Sequence, residues 1–249
     1  MNQDFYVGYS PKAPAALGRW VARLVTGLLL AGLAVGALLM LGQAPFADSK
    51  FEYGIYREYF GVIEEWPYPI LRTAGVLRTT SSSLLLVAPG KHGLSGAVKG
   101  LQGKSIRLKG TLIERGQDRM LEVLPESIGE TGKLPVPSVD QPVDLGPVRL
   151  RGEIVDSKCY LGVMNPGNGK VHRDCAVRCI SGGVPPAFIA KDAAGETRVL
   201  LLVGSDGRAL NKEILSFVAE PVEIPGQLVR SGSNLILKGE PAAFLRRPE

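Results

Sequence analysis

IRLKGTLIERGQDRML, residues 106–121, returns in outline as VEIPGQLVRSGSNLIL, residues 222–237. At a constant shift of 116, Gly110 falls on Gly226, Gly116 on Gly232, and Met120-Leu121 on Ile236-Leu237. The match runs back without a gap to Leu84-Leu85-Leu86-Val87, which meets Leu200-Leu201-Leu202-Val203, and Leu101 meets Phe217. Agreement of apolar positions and turn glycines over the whole of 84–121 and 200–237 marks an internal repeat. Within each copy the pattern is β. Ile106, Leu108 and Thr111-Leu112-Ile113 alternate into the turn Arg115-Gly116-Gln117-Asp118, then Met120-Leu121-Glu122-Val123 returns. Tyr59–Glu64 and Leu150–Val155 read as the strand that opens each copy. Ser95–Leu101 and Asn211–Phe217 read as a short helix between strands. Four or five short strands and one connecting helix predict a small closed barrel of the OB type, made twice.

Outward from the repeat, domains are expected at 51–128 and 149–247, joined by a stiff linker over 129–148 containing Pro135, Pro137, Pro142 and Pro147. Ahead of them Leu24–Gly42 is an uncharged run of 19 residues. As a helix it reaches ~28 Å, close to the hydrocarbon thickness of a bilayer. A signal peptide is the alternative. Against it stand 23 residues ahead of the run and a run longer than the usual ~7–15-residue signal core. The Gln43–Ala47 stretch also fits poorly to a cleavage site. Lys12, Arg19 and Arg23 precede the run against Asp4 alone, and Asp48, Lys50 and Glu52 follow. That asymmetry predicts a cytoplasmic tail over 1–23, a transmembrane helix over 24–42, and soluble domains on the far side. In a Gram-negative bacterium this is an inner-membrane protein facing the periplasm. The net charge of +5 is modest and spread along the chain, so nucleic acid is not expected as a partner. Aromatics from Phe51 to Tyr68 (Phe51, Tyr53, Tyr56, Tyr59, Phe60, Trp66, Tyr68) suit a membrane interface, a partner surface or barrel packing equally.

The copies differ in one place. Gly61 and Gly152 lie 91 apart where later blocks lie 116 apart, so the second copy gained about 25 residues between its first two strands. That insertion, residues 156–183, holds all three cysteines and His172. Asn165–Gly169 is a turn, and Val171–Ser181 then forms a short helix stopped by Gly182-Gly183. On such a helix His172, Cys175 and Cys179 stand at about 0°, 300° and 340°, and Cys159 at the end of the preceding strand can fold onto them. Three thiols and an imidazole make a Cys3His metal set, for which zinc is the default. Copper is an alternative, with Met164 as a further soft ligand. An iron–sulfur cluster fits the ligands but requires export of a folded protein. Asp156 and Asp174 are candidates to support the ligands or to be plain surface charges. Two other chemistries stay open. A disulfide suits an oxidising compartment but leaves an odd thiol. A reactive thiol pair is favoured by Cys175 in the first helical turn beside Lys158, Arg173 and Arg178.

Gly152-Glu153-Ile154-Val155-Asp156-x-x-Cys159, followed by His172-x-x-Cys175-Ala176-x-x-Cys179-x-x-Gly182-Gly183-x-Pro185, resembles a motif of exported or membrane-anchored bacterial proteins. The resemblance covers about 152–190 and implies location, not activity. One helix followed by an external OB-like barrel also resembles the haem chaperone of cytochrome c maturation, but the haem-binding His-x-x-x-Tyr motif of that family is missing. Taken together these readings predict a membrane-anchored accessory protein, a subunit or assembly factor of a respiratory or redox complex. A thiol–disulfide oxidoreductase and a binding module with a structural disulfide are the alternatives.

Overall fold

The computed structural model describes residues 14–43, 49–74, 81–132 and 141–248. Lys12, Asp4, Asp48 and most of the stretch weighed as a cleavage site lie outside them, as do Pro135 and Pro137. The chain divides into two compact units, Met1–Phe46 and Ala47–Glu249.

The first unit is helix α1, Ala15–Leu41, with no buried residue. It is long and apolar enough to cross a membrane. It starts nine residues before the uncharged run, at Ala15 directly after Pro14. Pro14 has no N–H to leave unpaired there, and Ala-Ala-Leu favours helix, so Arg19 and Arg23 ride on the first turns.

The second unit is built from fourteen strands in chain order: β1 Ser49–Phe51, β2 Arg57–Glu64, β3 Ile70–Ala74, β4 Ser81–Ala88, β5 His92–Gly93, β6 Ser105–Arg115, β7 Asp118–Val123, β8 Gly129–Glu130, β9 Val143–Asp156, β10 Pro186–Lys191, β11 Thr197–Gly204, β12 Pro221–Ser231, β13 Asn234–Gly239 and β14 Leu245–Arg246. Five of them close the first barrel. β2 pairs with β3 and β6, β3 with β4, β4 in parallel with β7, and β7 with β6. The second closes identically through β9, β10, β11, β13 and β12, with β11 and β13 the parallel pair. The fold is therefore mainly β, two closed five-stranded barrels after an apolar helix, with a Cys-rich insertion carrying helix α2, Arg173–Ser181.

The 116-residue repeat holds strand for strand. β4, β6, β7 and β8 map onto β11, β12, β13 and β14 at both ends of every element. The shared hairpin turn places Gly116 at φ 59° and Gly232 at φ 58°, left-handed backbone that glycine adopts without cost. Gly110 and Gly226 also correspond: a Cβ on either would stand within 2.8 Å and 2.3 Å of the facing carbonyl oxygens of Glu122 and Lys238.

Two expectations are corrected. Ser95–Gly100 is a run of turns rather than a helix, because glycines at 96 and 100 interrupt it, Gly100 at φ 84°. Its counterpart is a 3-10 helix, Lys212–Phe217. The stretch 129–148 is not wholly linker, since β8 pairs with β6 at one end and β9, from Val143, pairs along β12 at the other.

The barrels share a core. Tyr68, Ile70, Leu85, Val87, Ile113 and Met120 of the first pack with Val155, Ala187, Leu201 and Ile236 of the second. The Tyr68 hydroxyl lies 2.8 Å from the Leu202 carbonyl and accepts from the Leu210 N–H at 2.9 Å. Arg72, also buried, donates to Ser231 Oγ at 3.0 Å. Of the aromatics after the helix, Tyr68 is thus a core residue, while Tyr53 and Trp66 are largely exposed.

Candidate metal centre

The path of the insertion is set by its contacts with the first barrel. After Asp156 the backbone leaves β9 through Ser157-Lys158 and one wide helical turn, Cys159–Val163. Lys158 crosses to the first barrel, where its ammonium stands 2.5 Å from Glu122 Oε2 and donates to the carbonyls of Ala88 at 2.9 Å and Gly90 at 2.6 Å. Both ends of this ion pair are buried. Gly162 passes so close to the Lys50 carbonyl that a Cβ would lie 2.7 Å from its oxygen. Farther on, Gly182 ends α2, its carbonyl accepting from the Gly93 N–H at 2.9 Å. A Cβ on Gly182 would meet the Lys91 carbonyl at 1.9 Å. These contacts press the 90–92 turn of the first barrel against the cysteines of the second.

The side chains gather around Cys159. Cys159, His172 and Cys175 present ligand atoms all within 4.8 Å of one another, and so do Asp156, Cys159 and Cys179. The Cys159 and Cys175 sulfurs are 3.9 Å apart, and all three cysteines are free. Asp156 is fully buried. One of its oxygens accepts from the Cys159 N–H at 2.8 Å and the other lies 3.0 Å from His172 Nε2. A buried carboxylate on Nε2 fixes that nitrogen as the N–H and leaves Nδ1 free to ligate. Lys91 donates to Cys175 Sγ at 2.7 Å and stands 3.8 Å from Cys179 Sγ. That bond and the nearby thiols hold the Lys91 ammonium above its usual range. The hydrogen bond to Cys179, then burial, then the Asp156 charge push the Cys159 thiol up. The same bond holds Cys179 down against burial and that charge.

No family model, curated protein or solved structure matches the chain. The site has to be read from its own chemistry.

Two sulfurs held ~2.3 Å from a tetrahedral zinc stand about 3.8 Å apart, and Cys159 and Cys175 already have that separation at 3.9 Å. The cluster could hold a metal ion. Cys159, His172, Cys175 and Cys179 gather there as two triads that share Cys159, with Cys179 in the one that holds Asp156. The reason lies in the backbone. His172 ends a 3-10 turn, Lys170–His172, and α2 begins only at Arg173, so His172 is off the helix. Cys159 stands on the wide turn beyond the strand, between the two helix cysteines. Asp156 lies against His172, whereas Asp174 is exposed and Met164 is 46% exposed. Of the cations expected near Cys175, Lys158 is engaged with Glu122 and Arg173 with Glu220. The cation at the sulfur is Lys91, missed because it lies 84 residues away in a hairpin turn of the other barrel. Its signal was faint: a Gly-Lys-His-Gly turn whose counterpart at the 116-residue shift, Asp206–Ala209, has glycine in place of the lysine.

Proposed function

We propose that this protein is a membrane-anchored accessory protein of an exported compartment, whose insertion holds a zinc-type ion. The observation that carries the reading is the triad of buried Cys159 and His172 with half-buried Cys175, their ligand atoms within 4.8 Å of one another. Cys179, which meets this triad through Cys159, would supply the fourth ligand after a side-chain rotation. Asp156 orients His172, and Lys91 offsets part of the thiolate charge from outside the ligand shell. Bound there, the ion would act as a structural cross-link, since Cys159 and His172 are almost wholly buried and offer a substrate no approach. A closed site of this kind, without a catalytic group beside it, suits a subunit or assembly factor of a membrane respiratory or redox complex better than an enzyme. Arg19 and Arg23 at the start of α1 support a cytoplasmic N-terminus and periplasmic barrels.

The test is metal analysis and a free-thiol count on the full chain, exported and purified in neutral detergent without chelators. One zinc per chain with all three thiols shielded supports the reading. Absence of metal, with three freely reactive thiols, refutes it. A thiol–disulfide role is the second reading, favoured by the 3.9 Å approach of Cys159 and Cys175 and the ammonium on Cys175. It requires Cys175 to be alkylated rapidly at mildly acidic pH, where an ordinary thiol is inert.

A further inference from the structure

The outer face of the second barrel carries a second feature, an open groove of about 770 Å³. Alternation along β9 builds its floor. Arg149, Arg151 and Glu153 point out, while Leu150, Gly152 and Ile154 point toward the core. Five cationic side chains line it, Arg115, Arg149, Arg151, Lys170 and Lys191, against one carboxylate, Glu153. Glu153 is itself engaged, accepting from the Gly169 N–H at 2.6 Å.

The arginines are held in place without being neutralised. Glu223, buried on β12, accepts from Arg149 at 3.0 Å, Arg151 at 2.8 Å and Arg247 at 2.8 Å, so one carboxylate serves three guanidiniums. Arg149 and Arg151 stay 61% and 75% exposed at their side chains, with donors left over toward the groove. Arg115 arrives from the first barrel and sets its guanidinium carbon over the Tyr160 ring, 3.9 Å from the centroid. Its Nε is buried with no acceptor among the described residues. Lys170 and Lys191 stand exposed at the rim.

A concavity of this volume falls in the range of small-molecule sites. Guanidinium forks fixed by a carboxylate behind them suit bidentate capture of oxyanions. The charge is gathered in a hollow rather than spread on a face, so its complement is compact and highly charged. We infer that this groove binds a small soluble polyanion of the polyphosphate type. Because its walls include Tyr160, Asn168, Gly169 and Lys170 of the insertion, such a ligand would touch the loop that leads into His172.

The test is calorimetric titration of the full chain, in neutral detergent, with inorganic pyrophosphate at constant ionic strength. One saturable event per chain is expected, with affinity falling as salt rises. It should weaken at least tenfold in Lys170→Gln/Lys191→Gln, whose side chains are exposed, and likewise in Arg149→Gln, which leaves Glu223 two arginines. Circular dichroism checks that both variants fold. No saturable heat, or an affinity unchanged in the lysine variant, overturns the inference. Binding to phosphatidylglycerol vesicles without binding to pyrophosphate also overturns it, assigning the groove to a lipid surface instead.

Discussion

Ala219 sits where the first barrel has Gly103, and both adopt left-handed backbone, at φ 59° and φ 73°. The alanine is buried and tied down, its N–H donating to the Ile154 carbonyl at 3.0 Å. Its Cβ makes that conformation costly, so Ala219→Gly is expected to stabilise the protein by about 1 kcal/mol, read as a rise in Tm. Asp118 carries the opposite kind of strain. Burial raises its carboxyl from the ordinary 3.8 to about 6, with Arg198 offsetting only part. The folded chain then binds more protons than the unfolded one between about pH 4 and pH 6, and stability falls as pH rises through that window. Allowing for solvent on its open side, the loss is about 1–2 kcal/mol, and it should vanish from the pH profile of Asp118→Asn. Glu223 works with the other sign. Arg247, then Arg151 and Arg149, hold it at about 2, so its contribution is complete above about pH 4.5 and lost toward pH 2. Neither Ala219 nor Asp118 was legible in the sequence. An alanine advertises no left-handed backbone, and Asp118 reads as an ordinary turn residue until the second barrel covers it.

At the scale of elements, the sequence was most informative where local chemistry repeats. The hairpin around Gly116 and Gly232 needs only alternation and a glycine, and both copies display it. It was least informative where an element is shaped by a distant one. The wide turn at Cys159–Val163 forms because Lys158 is drawn to Glu122 and Gly162 must pass Lys50, and no local pattern encodes either partner. Lys158→Met is expected to cost about 3–5 kcal/mol, because Glu122 is left charged and buried. The double change with Glu122→Gln should recover most of that in denaturant unfolding, whereas a merely local role for Lys158 would leave the losses additive. The Lys91 turn shows the same dependence on distant partners. Under the metal reading, Lys91→Met should leave both barrels folded and lower zinc affinity about 10–100-fold, measured by competition with a chromophoric chelator.

At the scale of the molecule, two copies of one barrel have become unequal partners. The second took the insertion, and the first supplies the surface that shapes it: Glu122, the 88–93 turn and Lys91. The fold was readable in advance, since a gapless repeat carries the boundaries of β4, β6 and β7 onto β11, β12 and β13. The residues that gather at Cys159 were readable as a list but not as an arrangement. The helix projection put His172, Cys175 and Cys179 on one face with Cys159 folded onto them, whereas the backbone makes two triads meeting at Cys159. The central claim is that this junction between the barrels holds one metal ion. X-ray absorption at the zinc edge of the full chain tests it most directly. A zinc ion at this junction gives sulfur neighbours at ~2.3 Å and a nitrogen at ~2.0 Å, with one sulfur lost in Cys175→Ser. An all-oxygen shell, or a spectrum unchanged by Cys175→Ser, would contradict it.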